Sequence, residues 1–400
     1  MIGLKRFLEV LLARVVPGAV SVLALLVLAD RMEPAAYGIF STLLATSGLA
    51  ANIFFGTIAM SVVPSHSSKK EGIERAQFEG SVVGACIAVS LFVLFIGLVG
   101  KLVHPDAFSI AILVVTLGAV SCLLPILQAK LSFWRYGAAS GLQALFVLIC
   151  VYTVEDVRPD LALYIYSASY IISFVLSYVF LGYPKIQIPN IHSLKMFSKI
   201  GLPLTVSALS ESTLFVGFRY VFMFVGDQAA FGLFSLLVDL AQRGVAIVVN
   251  VVSFAILPLA YREGANGKDK EFIRLLLIGS IASLTLSIIM AVAIWGVGEL
   301  GLLGGIRKGE FPIVMFSLVC AGVVFNRVRK ILLDPVAVRD AKTFAIPVGY
   351  FIGGSLALVV GLLALQNSMY YAFYLSYAAG YWFAAAITGV IIGGFIRFRQ

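Results

Sequence analysis

Ala35-Ala36-Tyr37-Gly38-Ile39-Phe40-Ser41 recurs 194 positions later as Ala229-Ala230-Phe231-Gly232-Leu233-Phe234-Ser235. The same offset carries Val62-Val63-Pro64 onto Ile256-Leu257-Pro258. A basic segment containing Glu-Gly follows each copy, at Glu71-Gly72 and at Glu263-Gly264. Two matches at one offset mark a chain built from two copies of one unit. Each copy of the motif opens a long stretch of small and apolar residues, which suits a helix that packs closely.

Working outward, the composition decides what surrounds those helices. Hydrophobic residues make up 61% of the 400 residues and charged residues 12%. The mean hydropathy is +1.03. A soluble domain needs roughly twice that charged fraction to cover its surface, so apolar side chains here face lipid. Apolar runs long enough for a ~30 Å hydrocarbon core fall at 7–29, 37–63, 81–103, 107–129, 137–155, 160–183, 197–225, 228–258, 272–300, 310–333, 343–365 and 369–396. They lack the alternation of barrel strands, and a helix satisfies its own backbone in lipid. The expected fold class is an all-α polytopic membrane protein of about twelve spans in two parallel six-helix bundles around a central cavity. Even-numbered halves enter from the same side and are related by an axis along the membrane normal.

The basic residues orient the chain. With the N-terminus inside, most of the 29 Lys and Arg lie in cytoplasmic segments, and only Arg31, Lys101, Arg158, Arg307 and Lys308 lie outside. Both termini are therefore expected in the cytoplasm. The net charge of +9 reflects this loop bias rather than nucleic-acid binding. Lys5-Arg6 followed by an apolar run resembles a cleavable signal. Glu9 and Arg14 interrupt that run, however, and the repeat makes the first span the counterpart of the seventh. The expected organisation is residues 1–184 as an N-terminal bundle, 185–198 as a cytoplasmic linker and 199–400 as a C-terminal bundle.

Ionisable residues within spans cost roughly 2.5–3.5 kcal/mol on insertion scales, so they usually face protein or water. Five stand out: Arg14, Glu211, Arg219, Asp239 and Arg243. Asp239 and Arg243 are four apart, the spacing of an ion pair on one helical face. Arg14, Arg219 and Arg243 are expected to line a water-filled cavity. Glu211 and Asp239 are read either as ion-coupling groups or as charge partners. Arginine presents a planar fork of donors that matches phosphate oxygens, so an excess of arginine suits an anionic cargo. Arg327 and Lys330 are expected to meet that cargo at the cytoplasmic end of span ten, or simply to anchor the span.

Other patterns carry less. Gly296-Val297-Gly298-Glu299-Leu300-Gly301 fits the dinucleotide fingerprint letter for letter, but no strand precedes it. Gly349 and Gly353 form a small-residue pair suited to close helix packing. Pro17, Pro125, Pro203 and Pro347 are expected to kink spans. His66, His104 and His192 are read as three separate loop residues, so neither a metal site nor a cofactor is expected. Cys86, Cys122, Cys150 and Cys320 are read as small buried hydrophobes with no close pair.

The segment from Glu33-Pro34 through Ser41, with its second copy running from Phe218-Arg219-Tyr220 through Gly226-Asp227-Gln228 to Ser235, resembles Wzx-type polysaccharide flippases. These belong to the multidrug/oligosaccharidyl-lipid/polysaccharide (MOP) exporter superfamily. The resemblance implies a MATE/MOP-like fold in the bacterial inner membrane and a polyprenyl-pyrophosphate-linked oligosaccharide as cargo. It further implies a role in O-antigen, lipopolysaccharide or exopolysaccharide biosynthesis, beside a polysaccharide polymerase and a chain-length regulator. A cationic cavity goes with the family, and Arg14, Arg219 and Arg243 are where this sequence would supply one. Unassisted passage is slow because each unpartnered hydroxyl costs roughly 4–8 kcal/mol in hydrocarbon. No covalent chemistry is expected. The alternatives are a cation-coupled multidrug exporter of the same superfamily and, in a different class, a membrane-embedded polysaccharide polymerase.

Overall fold

The computed structural model describes residues 4–68, 73–103, 107–130, 132–265, 267–299, 312–339 and 344–397. No strand occurs among them. Twelve helices follow one another. The first copy contributes α1 (Leu4–Arg31), α2 (Pro34–Ser68), α3 (Ile73–Gly100), α4 (Ala107–Ala129), α5 (Phe133–Thr153) and α6 (Pro159–Phe180). The second contributes α7 (191–225), α8 (Gln228–Ala265), α9 (Asp269–Glu299), α10 (Ile313–Arg339), α11 (Ala345–Gln366) and α12 (Tyr370–Arg397). In each copy the second helix is the longest, at 35 and 38 residues. Among the described residues eleven of these helices are long and apolar enough to cross a membrane. In α10, Arg327, Arg329 and Lys330 interrupt the apolar run.

Two helices contain a π-helical turn, α7 at Phe197–Gly201 and α11 at Tyr350–Gly354. Pro203 follows the first of these and lacks an N–H, while its ring crowds the carbonyl four residues back. That carbonyl belongs to Lys199, inside the widened turn. Pro17 and Pro125 lie within α1 and α4.

The chain divides into two compact units, one made of Met1–Thr42 with Thr213–Gln400, the other of Leu43–Ser212. This differs from the expected division at 184 and 199, because both divisions fall inside helices, α2 and α7. The physical reason is an exchange between the copies. In the first unit α1 packs on α8, where a Cβ on Gly18 would overlap Ile247. In the second unit the start of α7 packs on α2: Gly201 abuts the Thr57 carbonyl, and a Cβ on Gly56 would come within 2.8 Å of Thr205. Each copy thus lends its first helix to the second helix of the other.

In the first unit the two motif copies also meet. A Cβ on Gly38 would lie 2.5 Å from the Phe231 ring, and one on Gly232 would collide with the Pro34 backbone. Glycine is required at both because the helices touch there. The core beside them is aromatic: Phe222 meets Phe373 edge-on with centroids 4.8 Å apart, and Phe234 stacks on Phe222 at 5.2 Å. Gly349 and Gly353 let α11 rest against Ala384, Thr388 and Phe383 of α12, as their spacing predicts.

The second unit is held by smaller residues and one buried ion network. Phe55 of α2 fills the space above Gly118 of α4. His66 is not a loop residue; it lies in the last turns of α2, is buried, and meets Glu79 of α3 at 3.1 Å. Lys130, just beyond α4, reaches the other oxygen of Glu79 at 2.8 Å. Cys86 and Cys122 also come close enough for their thiols to interact, both remaining free. Residues 185–198, expected as a linker, instead bind along α3: the Gln187 N–H donates to the Gly80 carbonyl at 3.2 Å. His104, Arg307, Lys308 and the end of the Gly296–Gly301 pattern lie outside the described residues.

Candidate functional site

Within the first unit, α1, the start of α2, the end of α7, α8 and α10 bring most of the sequence-predicted charges together. Asp239 occupies the third turn of α8. Its Oδ1 accepts from Arg219 Nη2 of α7 at 2.7 Å. Its Oδ2 accepts from the Tyr37 hydroxyl at 2.9 Å and from the Ser41 hydroxyl. Ser41 in turn accepts from Arg219 Nη1. Tyr37 and Ser41 are four apart on α2, so one helical face supplies both contacts.

This geometry changes two expectations. The carboxylate of Asp239 accepts from Arg219 of α7, a partner outside its own helix, where the i, i+4 spacing pointed to Arg243. Arg219 itself is 0% exposed and lies 4.4 Å above the Phe215 ring centroid. It therefore does not line a water-filled cavity. A guanidinium so enclosed is costly unless bonded to an acid, and Asp239 meets that need.

Arg243 is half-buried and donates from Nη1 to Ser21 Oγ of α1 at 2.7 Å. It is also close enough to Tyr37 to act on it electrostatically. Arg14 is half-buried on α1, one turn before Gly18. Arg327, expected as a separate cytoplasmic group, instead reaches α8: its Nη2 donates to Gln242 Oε1 at 2.9 Å. Arg327 thus reaches the position of α8 that immediately precedes Arg243. Lys330 is half-buried one turn further along α10. Glu211 is buried but belongs to the second unit, whereas Asp239 belongs to the first.

Sequence reasoning missed Arg329. It is 3% exposed, donates to Asp334 Oδ1 at 2.6 Å and to the Tyr350 hydroxyl at 3.1 Å, and packs 5.0 Å from that ring. Tyr350 also donates to Asn326. The available signal was Asp334, five residues on, where a pure positive-inside anchor needs no acid. Among the described residues no group of three or more His, Cys, Asp or Glu is placed to hold a metal ion.

No family model matches the sequence, and no curated protein matches it. Solved structures do. The chain is similar to a multidrug resistance MATE family transporter of the MOP superfamily in its inward-facing conformation, with a TM-score of 0.56 at 14% identity over 97% of this chain and 98% of that one. Its similarity to an outward-facing structure has a TM-score of 0.58 at 15% identity, over 98% and 96%. The chain has the MATE transporter fold. A MOP superfamily transporter from Pyrococcus furiosus, described as having a binding pocket of reversed polarity, shares the MATE fold too, with a TM-score of 0.58 at 12% identity over 98% and 94%. On the MATE fold, Arg243 and Arg327 lie side by side on α8 and α10 of a multi-pass membrane protein, with Arg14 further along α1, before the Ser21 that meets Arg243.

Proposed function

We propose that this chain is a flippase that moves a polyprenyl-pyrophosphate-linked oligosaccharide from the cytoplasmic to the periplasmic leaflet of the bacterial inner membrane. The observation that carries the reading is the convergence of half-buried Arg243 and Arg327 on α8, with half-buried Arg14 on the adjoining α1. Arginines in a low-dielectric setting favour a divalent or polyanionic head group, which the fork of each guanidinium grips through two oxygens. The polyprenyl tail stays in lipid, so only the head group needs a polar path. Cytoplasmic termini follow from the segregation of basic residues. Alternating access is supported by a fold seen elsewhere facing inward and facing outward.

A multidrug exporter is the second reading, favoured by the multidrug MATE structures of the same fold. Cationic drugs would be repelled by the arginine group, and the fold accommodates pockets of either polarity. The deciding experiment is surface polymer in cells carrying Arg243→Ala, Arg327→Ala or both. Loss of polymer with normal protein in the membrane is expected, and Arg243→Lys should restore it partly. Wild-type polymer in the double variant, together with export of a cationic dye, would overturn the flippase reading.

A further inference from the structure

The segment between α6 and α7 is built as a strap. Gly182 (φ 80°) and Tyr183 (φ 55°) turn the chain sharply at the end of α6. The strap then runs along α3, where Gly80 and Gly84 leave room for its backbone: a Cβ on either would collide with the carbonyl of Lys185 or Gln187. Gln187 N–H bonds to the Gly80 carbonyl. Further on, Asn190 caps the start of α7 by accepting from Ser193 N–H at 2.8 Å, and Ser193 reaches Ser81 of α3 at 3.5 Å. The strap is fixed, not slack.

Fixing it sets the direction of its side chains. In an extended segment neighbours alternate, so with Gln187 held toward α3, Ile186 and Ile188 point away. Ile188 is 93% exposed, and Ile186 and Ile191 are exposed as well. Apolar residues exposed on the spans meet lipid tails. Ile191 opens α7, whereas Ile186 and Ile188 lie outside any span, in a segment whose backbone is not helical. Such a backbone cannot enter the hydrocarbon core, because its amides would lose their partners. It can lie at headgroup depth, since it links two spans and begins and ends within a few residues of them.

Charge identifies the occupant. Lys185 is exposed on the strap, Tyr183 at its turn, and Lys195 on the second turn of α7 just beyond it. Beside it, at the start of α5, Trp134 is 76% exposed, and Arg135 ties α5 to the end of α6 by donating to the Phe180 carbonyl at 2.9 Å. Aliphatic side chains flanked by lysine, with Trp and Tyr alongside, are the arrangement that seats in an anionic lipid interface. We infer that the α6–α7 strap, together with the first turns of α7, is a binding surface for anionic phospholipid headgroups, with Ile186, Ile188 and Ile191 inserted below the phosphates and Lys185 and Lys195 at their level. The inference stands independently of the cargo.

The test uses the full chain reconstituted in vesicles, with an environment-sensitive fluorophore on Ile188→Cys. One set of vesicles is phosphatidylcholine alone, and the other adds phosphatidylglycerol. The expected result is a blue-shifted emission that brominated lipid quenches almost entirely and aqueous iodide hardly touches, stronger with phosphatidylglycerol. Adding Lys185→Glu and Lys195→Glu should remove the dependence on phosphatidylglycerol while the elution profile stays that of the parent. A label that iodide quenches freely and brominated lipid does not would overturn the inference, as would equal signals in both vesicle types that the charge reversal leaves unchanged. A label that neither iodide nor brominated lipid quenches would overturn it too, because protein, not lipid, would then cover the strap.

Discussion

The two copies of the repeat are close to each other in helix order and length, yet they differ in charge at matched positions. At the 194-residue offset, Arg219, Asp239 and Arg243 of the second copy stand where the first has Leu25, Ala45 and Leu49. Leu25 and Arg219 are equally enclosed, both at 0% exposure. The same helical position therefore accepts a leucine or a bonded arginine. The fold does not require these charges, which places their origin in what the second copy does.

The comparison can be broken by giving one copy the residues of the other. Removing one partner of the buried pair, by Arg219→Leu or Asp239→Ala, should have the largest effect, a loss of about 3–5 kcal/mol, since the remaining charge is stranded. The double variant should recover most of it, and thermal unfolding of the purified protein would show this; equal losses in single and double variants would mean that the pair is not the unit. Tyr37→Phe, which copies Phe231, should cost about 1.5–3 kcal/mol by removing a hydrogen bond to a carboxylate. Gly232→Ala should cost roughly 1–3 kcal/mol through overpacking and should exceed Gly38→Ala. The former meets the Pro34 backbone and the latter a ring that can shift. Ser41 and Ser235 complete the series. Ser41 bridges Arg219 and Asp239, whereas the buried Ser235 hydroxyl has no hydrogen-bond partner among the described residues. Ser41→Ala should therefore destabilise, while Ser235→Ala should be neutral or raise the melting temperature, because an unsatisfied buried hydroxyl is removed.

Much of the fold was legible because lipid makes hydropathy nearly a ruler. The run expected at 107–129 is α4 to the residue. The motif pair located the contact between copies, with both glycines at the touching points. Partners across helices were not legible. Periodicity sees one helix at a time, so it paired Asp239 with Arg243 on α8 and could not see Arg219 arriving from α7. Arg329 was hidden for another reason: at the end of a span a basic residue looks like a topology anchor, and only its neighbours Asp334 and Tyr350 in space show that it is enclosed. His66 was lost the same way, since Glu79 lies across a helix boundary.

The exchange of first helices bears on how the protein is made. Ser21 of α1 bonds to Arg243, 222 residues further along the chain. At roughly 5–20 residues per second of synthesis, α1 enters the bilayer on the order of ten to forty seconds before α8 exists. During that interval α1, with its Arg14, is in the bilayer before its eventual neighbour α8 has been made. The earliest part of the polypeptide thus waits for one of the later ones, and assembly of the first unit is gated by translation of the second copy.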